Sequence, residues 1–172
     1  IHEGADTNYF KINHNWKTLD TVTITYATRG METIRCFPQF MRTLPKLLEE
    51  NELLIVLIAG IDRRAYSYEA PIEGGSWKEY MMRELGTFKG MERIFFTGLL
   101  DYNDYRKMLW RSNLHCYFTE PYVTSWSLFE AAACGAKMAI NRSGATEGVV
   151  EENSVSWVDI EEPKKLSKQL SN

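Results

Sequence analysis

Cysteine and histidine are scarce, at three each in 172 residues, which counts against both a disulfide framework and a metal centre. Cys36, Cys116 and Cys134 are odd in number, far apart and outside any metal-ligand spacing, so buried reduced thiols are expected. His2, His14 and His115 are equally scattered, and no metal site is predicted. Prolines number only five and glycines eleven, with no low-complexity run among them, so disorder is not expected. The longest apolar stretch, Leu53 to Gly60, falls far short of the roughly 20 residues that span a bilayer. No signal-peptide pattern precedes it, and a cytoplasmic protein is expected. Basic charge is not in excess either: 20 Lys and Arg against 23 Asp and Glu leave a net charge of −3, which excludes a general field for gathering nucleic acid.

What is present is an ordinary globular composition, 44% hydrophobic and 25% charged, in a chain of single-domain length. Val22 to Ala27 is rich in β-branched residues and leads to Gly30, after which Ile34, Phe37, Phe40, Met41, Leu44, Leu47 and Leu48 recur at helical spacing. Leu53 to Ala59 lacks polar alternation, as a strand covered on both faces does. Ser76, with Glu79 three residues on, predicts a capping box for a helix over Trp77 to Leu85, and Asp101 a cap for a helix carrying Tyr105, Met108 and Leu109. Further strands are expected at Ile94 to Thr97, Leu114 to Phe118, Lys137 to Ile140 and Val155 to Val158. Helices are expected over Leu128 to Cys134 and, opened by Pro163, over Glu161 to Leu170. Such alternation specifies an α/β fold, a single doubly wound parallel sheet with right-handed crossovers. The first twenty residues show no apolar period and read as a linker or strap.

Ligands of an open parallel sheet bind beyond the carboxyl ends of its strands, so the chemistry is sought there. Arg29 follows the first strand, and Arg35 is expected in the first turns of the helix after it, where a cation is disfavoured unless an anion is near. Two guanidiniums on one crevice suit a diphosphate; their plainer role is as solvated surface charges. Thr124, Ser125, Trp126 and Ser127 precede Leu128 and Glu130, offering open amides and hydroxyls at a helix start. Simple N-capping by Thr124 or Ser125 is the commoner use of such residues. Glu130, next to three alanines, is placed to accept two hydrogen bonds from vicinal sugar hydroxyls, or simply to complement the helix dipole.

In their order these segments resemble the C-terminal half of GT-B glycosyltransferases, in particular the large retaining family 4. TRGMETIRCF resembles that family's Gly-Arg loop with a basic residue six positions on, and Arg29 and Arg35 stand at the two places that contact the donor diphosphate. SLFEAAACGAKMAINRSGATEGVV resembles its hallmark helix, strand and loop, with Glu130 at the ribose-binding position and Glu147 at the loop Glu. Phe96 to Gly98 stands where the family has its base-pocket loop, and IHEGADTNYF resembles its interdomain linker, so the likeness covers almost the whole chain. The sequence departs from the family at Tyr122, where a second Glu is frequent, with Glu120 two residues off register. Cys36 and Thr28 also stand where glycines are usual.

The resemblance implies a linker over residues 1–20 and a Rossmann-like nucleotide-sugar-binding domain over 21–172, with an N-terminal acceptor domain absent from the chain. It implies hexosyl transfer from a nucleoside diphosphate sugar, UDP favoured over GDP, with retention and with no metal or other cofactor. The lack of an Asp-x-Asp motif agrees with that. Arg29 and Arg35 would then serve catalysis, and Gly98, Leu99, Thr124, Ser125, Trp126, Ser127, Leu128 and Glu130 would hold the donor. The implied setting is glycan or polysaccharide biosynthesis, in the cytoplasm or peripheral to the inner membrane face, with a glycan or lipid-linked acceptor on the missing domain and no activity in the 172 residues alone. Two alternatives stand beside it. One is a non-catalytic nucleotide-sugar-binding module, which Tyr122 favours. The other is another GT-B enzyme, such as a nucleotide-sugar epimerase or a glycan phosphorylase, whose catalytic His and carboxylates or cofactor lysine are not evident.

Overall fold

The computed structural model describes residues 4–16, 21–71 and 73–171. Strands and helices alternate along the chain: β1 (Val22–Gly30), α1 (Phe37–Glu50), β2 (Leu54–Ile61), α2 (Trp77–Leu85), β3 (Ile94–Gly98), α3 (Tyr102–Arg111), β4 (Leu114–Tyr117), α4 (Trp126–Ala133), β5 (Met138–Asn141), β6 (Ser156–Val158) and α5 (Pro163–Leu170). Every strand pair is parallel, in the order β3-β2-β1-β4-β5-β6. A parallel neighbour can be reached only by a crossover, and helices fill every crossover except residues 142–155, which hold one 3-10 turn. The order reverses between β1 and β4, so the crevice at their carboxyl ends is the switch point where a ligand is expected.

Alternation along β1 sends Ile24 and Tyr26 into one core layer with α1, α2 and α5. The opposite layer gathers Tyr117, Met138 and Ile140 with Tyr105, Leu109 and Leu128 of α3 and α4. Helix α1 runs through Pro45, which removes one backbone donor and costs a helix interior about 3 kcal/mol. Phe37, Phe40, Met41, Leu44, Leu47 and Leu48 are all fully buried, and at about 1.5–3 kcal/mol each their burial outweighs that cost several-fold. The capping box of α2 forms: Ser76 accepts from the Glu79 amide at 3.1 Å and Glu79 from the Ser76 amide at 3.1 Å. Asp101 caps α3 by accepting from the Asp104 amide at 2.9 Å.

Two local expectations are corrected. Arg35 is not in the first turns of α1; it closes a separate 3-10 turn, Thr33–Arg35. Cys36, with φ 52°, breaks the helix between them. It is the one non-glycine residue of positive φ among the described residues, a conformation costing a side-chain-bearing residue about 1–2 kcal/mol. At α4 neither expected N-cap is made. Ser125 makes no side-chain cap, and the Thr124 hydroxyl donates instead to the Ala145 carbonyl.

Of the expected linker over 1–20, residues 1–3 and 17–20 lie outside the described residues. Residues 4–16 pack on α3 and α4. Phe10 is buried in the second core layer, the Trp110 indole donates to the Lys11 carbonyl at 2.7 Å, and the Arg106 guanidinium lies 4.2 Å from the Tyr9 ring centre. Among the described residues no helix is long and apolar enough to cross a membrane. All three cysteines are buried.

His115 on β4 is fully buried, its Nδ1 2.8 Å from the Thr25 hydroxyl and its Nε2 without a partner among the described residues. Burial pushes its pKa down to about 4. The unfolded chain takes up this proton below a pH of about 6.5 while the native state refuses it, so folding stability falls as pH drops from about 6.5 and levels off below about 4. The expected loss is about 3 kcal/mol. Urea unfolding at stepped pH measures it, and His115→Asn flattens that limb; an unchanged limb in the variant rules His115 out as its source.

Candidate functional site

A cavity of about 490 Å³ opens at the switch point between the ends of β1 and β4. Seven of the residues expected in the site line it: Arg29, Arg35, Leu99, Ser125, Trp126, Ser127 and Glu130. Three do not. Leu128 is fully buried in the core, Thr124 is turned to Ala145, and Gly98 ends β3 just before the exposed Leu99.

Arg29 and Arg35 differ in what holds them. Arg29 is exposed, its guanidinium carbon 5.7 Å from the centre of the Tyr66 ring. Arg35 is only 7% exposed, and its Nη1 donates to Thr119 Oγ1 at 2.7 Å, to the Val123 carbonyl at 3.3 Å and to the Tyr117 hydroxyl at 3.5 Å. All three partners are neutral, and among the described residues no carboxylate lies within salt-bridge distance of Arg35. A cation taken from water without a counter-charge is costly, and a cavity on its open side lets an anion supply that charge.

The 3-10 turn and Cys36 aim Arg35 across to the end of β4 instead of along α1. Its backbone is fixed by the Tyr26 hydroxyl, which donates to the Arg35 carbonyl at 2.7 Å. Thr119 is fixed in turn by Asn141 on β5, whose side-chain amide accepts from the Thr119 N–H at 2.9 Å and donates to the Thr119 carbonyl at 3.0 Å. Where the chain passes from β1 into the site it runs close to β2. A Cβ on Gly30 would sit 2.5 Å from the Arg63 carbonyl, so only glycine fits there.

Glu32, missed in the sequence, is fully buried and accepts from the backbone amides of Ala65, Tyr66 and Ser67 at 2.7–3.2 Å. It thereby fastens the loop after β2 that carries Tyr66 to the wall beside Arg29. No periodicity announces it; the one available signal is an acid just past a glycine at the end of a strand.

At the start of α4 fewer amides are open than the sequence promised. The Ser125 N–H donates to the Tyr117 hydroxyl at 3.0 Å and the Leu128 N–H to the Ser125 carbonyl at 3.1 Å. Those of Trp126 and Ser127 have no partner among the described residues. Glu130, one turn further on, is 7% exposed, and its carboxylate accepts no hydrogen bond among the described residues. Desolvation raises its pKa. A nearly buried acceptor without donors and a nearly buried cation without an anion, lining one cavity, make the arrangement of a polar ligand site.

A second cavity of about 490 Å³ runs past the ends of β4, β5 and β6. Several of its polar groups already have partners: Asn141 is bonded to Thr119, Asp159 to Lys165 and Arg142 to Glu152. The switch-point cavity is therefore the better candidate.

No protein-family model matches the sequence, and no curated protein matches it. Solved structures do. The C-terminal domain of a glycosyl transferase group 1 family protein, LpcC, from Francisella tularensis is similar over 97% of this chain and 86% of its own, at 16% identity and a TM-score of 0.74. A glycosyltransferase from Rickettsia africae is similar over 97% of this chain and 44% of its own, at 15% identity and a TM-score of 0.74. Sucrose-phosphate synthase from Thermosynechococcus elongatus is similar over 97% and 41%, at 15% identity and a TM-score of 0.69, so the chain spans less than half of those two proteins. With its six-stranded parallel sheet and flanking helices, the chain has the Rossmann-like fold of the C-terminal domain of GT-B glycosyltransferases.

Proposed function

We propose that this domain binds a nucleoside diphosphate sugar and serves as the donor half of a glycosyltransferase. The observation that carries the proposal is Arg35, a nearly buried guanidinium with only neutral partners, on the wall of a cavity that also holds Arg29 and the unpartnered Glu130. Fold likeness to glycosyltransferases supports it. The diphosphate lies between Arg29, Arg35 and the amides of Trp126 and Ser127, and Glu130 accepts from the ribose hydroxyls. As the glycosidic bond to the diphosphate breaks, charge grows on the leaving oxygen. Fixed donors already aimed there stabilise it without reorganising, so the transfer proceeds without a metal. The finer assignment is to the retaining family 4, with hexosyl transfer in glycan or polysaccharide assembly and a UDP-sugar preferred over a GDP-sugar. The acceptor site lies on an N-terminal domain outside these 172 residues, the chain alone is inactive, and the protein works in the cytoplasm or against the inner membrane face.

Calorimetric titration with UDP, GDP and ADP tests this directly. Saturable binding is expected, tightest for UDP; absence of binding by all three removes the assignment. A second reading is favoured by Tyr122, which is 62% exposed on the cavity wall where a carboxylate for the transferred sugar would be placed. In it the domain binds the nucleotide sugar without transferring it. A radiolabelled-sugar transfer assay on the full-length protein separates the two.

A further inference from the structure

Tyr117 closes β4, is 3% exposed and lines the switch-point cavity. Three donors converge on its hydroxyl oxygen: the Ser125 N–H at 3.0 Å, the Ser125 Oγ at 3.3 Å and the Arg35 Nη1 at 3.5 Å. A phenolic oxygen accepts about two good hydrogen bonds and donates one. Its accepting side is thus fully used, while among the described residues nothing accepts its proton. Two other tyrosines set this apart. The Tyr26 proton is spent on the Arg35 carbonyl, and the Tyr105 hydroxyl, though Tyr105 also lines the cavity, has no hydrogen-bond partner among the described residues and so no donors that turn its proton outward.

The hydroxyls behind Tyr117 are aligned as well. Ser127 Oγ lies 2.6 Å from Ser125 Oγ; with the Ser125 proton directed to Tyr117, Ser127 donates to Ser125. A chain of donors running in one direction, Ser127 to Ser125 to Tyr117, polarises each member and strengthens the last one as a donor. Arg35 and the Ser125 amide make the same spot electropositive, so the acceptor that completes the chain is an anionic oxygen.

We infer that the Tyr117 hydroxyl is a direct hydrogen-bond donor to an anionic oxygen of the ligand, a phosphate if the nucleoside diphosphate assignment above holds, with Ser125 and Ser127 orienting it. Sequence position marked this residue only as one more apolar neighbour in a strand, and neither charge nor motif singles it out.

Tyr117→Phe removes the hydroxyl and keeps the ring, and Ser125→Ala removes the relay while leaving Tyr117 in place. Both are titrated with the best-bound nucleoside diphosphate, with inorganic pyrophosphate and with the matching nucleoside, the last by ligand-observed NMR. Tyr117→Phe is expected to weaken the diphosphate and pyrophosphate about tenfold and leave the nucleoside unchanged, with a smaller loss of the same pattern for Ser125→Ala. Wild-type affinity in Tyr117→Phe overturns the inference and leaves the diphosphate site standing. Equal loss for the nucleoside also overturns it, since the ring or strand end would then have moved. If wild type binds pyrophosphate in a Tyr117-dependent way but none of UDP, GDP or ADP, the inference holds and the nucleotide assignment falls. Failure to bind pyrophosphate as well overturns both.

Discussion

Arg35→Ala lowers affinity for the preferred nucleoside diphosphate about 100-fold, measured by calorimetry. The size follows from what the side chain does. Hydrogen bonds to charged groups are worth about 1.5–3 kcal/mol each, and a nearly buried guanidinium facing a diphosphate makes at least one at full strength. Arg29→Ala costs less, about tenfold, because Arg29 is exposed and its charge is screened by water. Arg35→Lys recovers little, since a point ammonium cannot keep Thr119 and Val123 satisfied while forking onto phosphate. Folding provides an independent control. Among the described residues Arg35 has no counter-charge, so relief of an unpaired, nearly buried charge offsets the loss of its bonds to Thr119 and Val123; its removal shifts the melting temperature of the apo domain little while ligand-induced stabilisation disappears. Wild-type affinity in both alanine variants abolishes the diphosphate site.

The architecture was readable because most strands are apolar runs bounded by breakers and three helices carry their own start signal. Ser76 with Glu79, Asp101 and Pro163 set helix starts that the fold keeps. The cavity was readable for a topological reason. Residues at the end of β1 and just beyond it must meet those that follow β4 at the switch point, which brings Arg29 and Arg35 to Ser125 and Glu130 from 90 residues away or more.

What stayed hidden depends on single dihedrals and on partners distant in sequence. A helical period through Ile34 and Phe37 is blind to the left-handed turn at Cys36, and that turn is what redirects Arg35 toward Thr119. Asn141 looks like the polar end of an apolar strand, yet its amide holds the tip of the neighbouring strand. Thr124 suits either a ligand or a cap on α4 by its place in the sequence, but a nearby carbonyl at Ala145 takes its proton. Leu128 sits in the segment that bears the site, yet helical phase turns it to the core while Trp126, Ser127 and Glu130 face the cavity.

Glu130→Gln trades binding against stability. Desolvation raises the Glu130 pKa above the ordinary carboxylate value. In the window between that ordinary value, about 4.3, and the raised one, the native state holds more protons than the unfolded chain, so stability falls as pH rises. Above the window the penalty of a buried charge is fully present, and below it the penalty is gone. Gln is neutral throughout; the apo variant therefore melts higher than wild type at neutral pH, and the difference closes as pH drops toward about 4. Binding moves the other way. A carboxylate accepts from two vicinal hydroxyls with charge assistance, and exchanging it for an amide costs a ribose-bearing nucleoside diphosphate about 10- to 100-fold. Protonation of the terminal phosphate, at a pH of about 6, weakens binding in both proteins as pH falls, and wild type shows a further decline as Glu130 takes up its proton. The control is a 2′,3′-dideoxy nucleoside diphosphate, for which wild type and variant bind alike. Equal losses for the ribose and dideoxy ligands remove Glu130 from the ribose and leave it as a charge at the helix start.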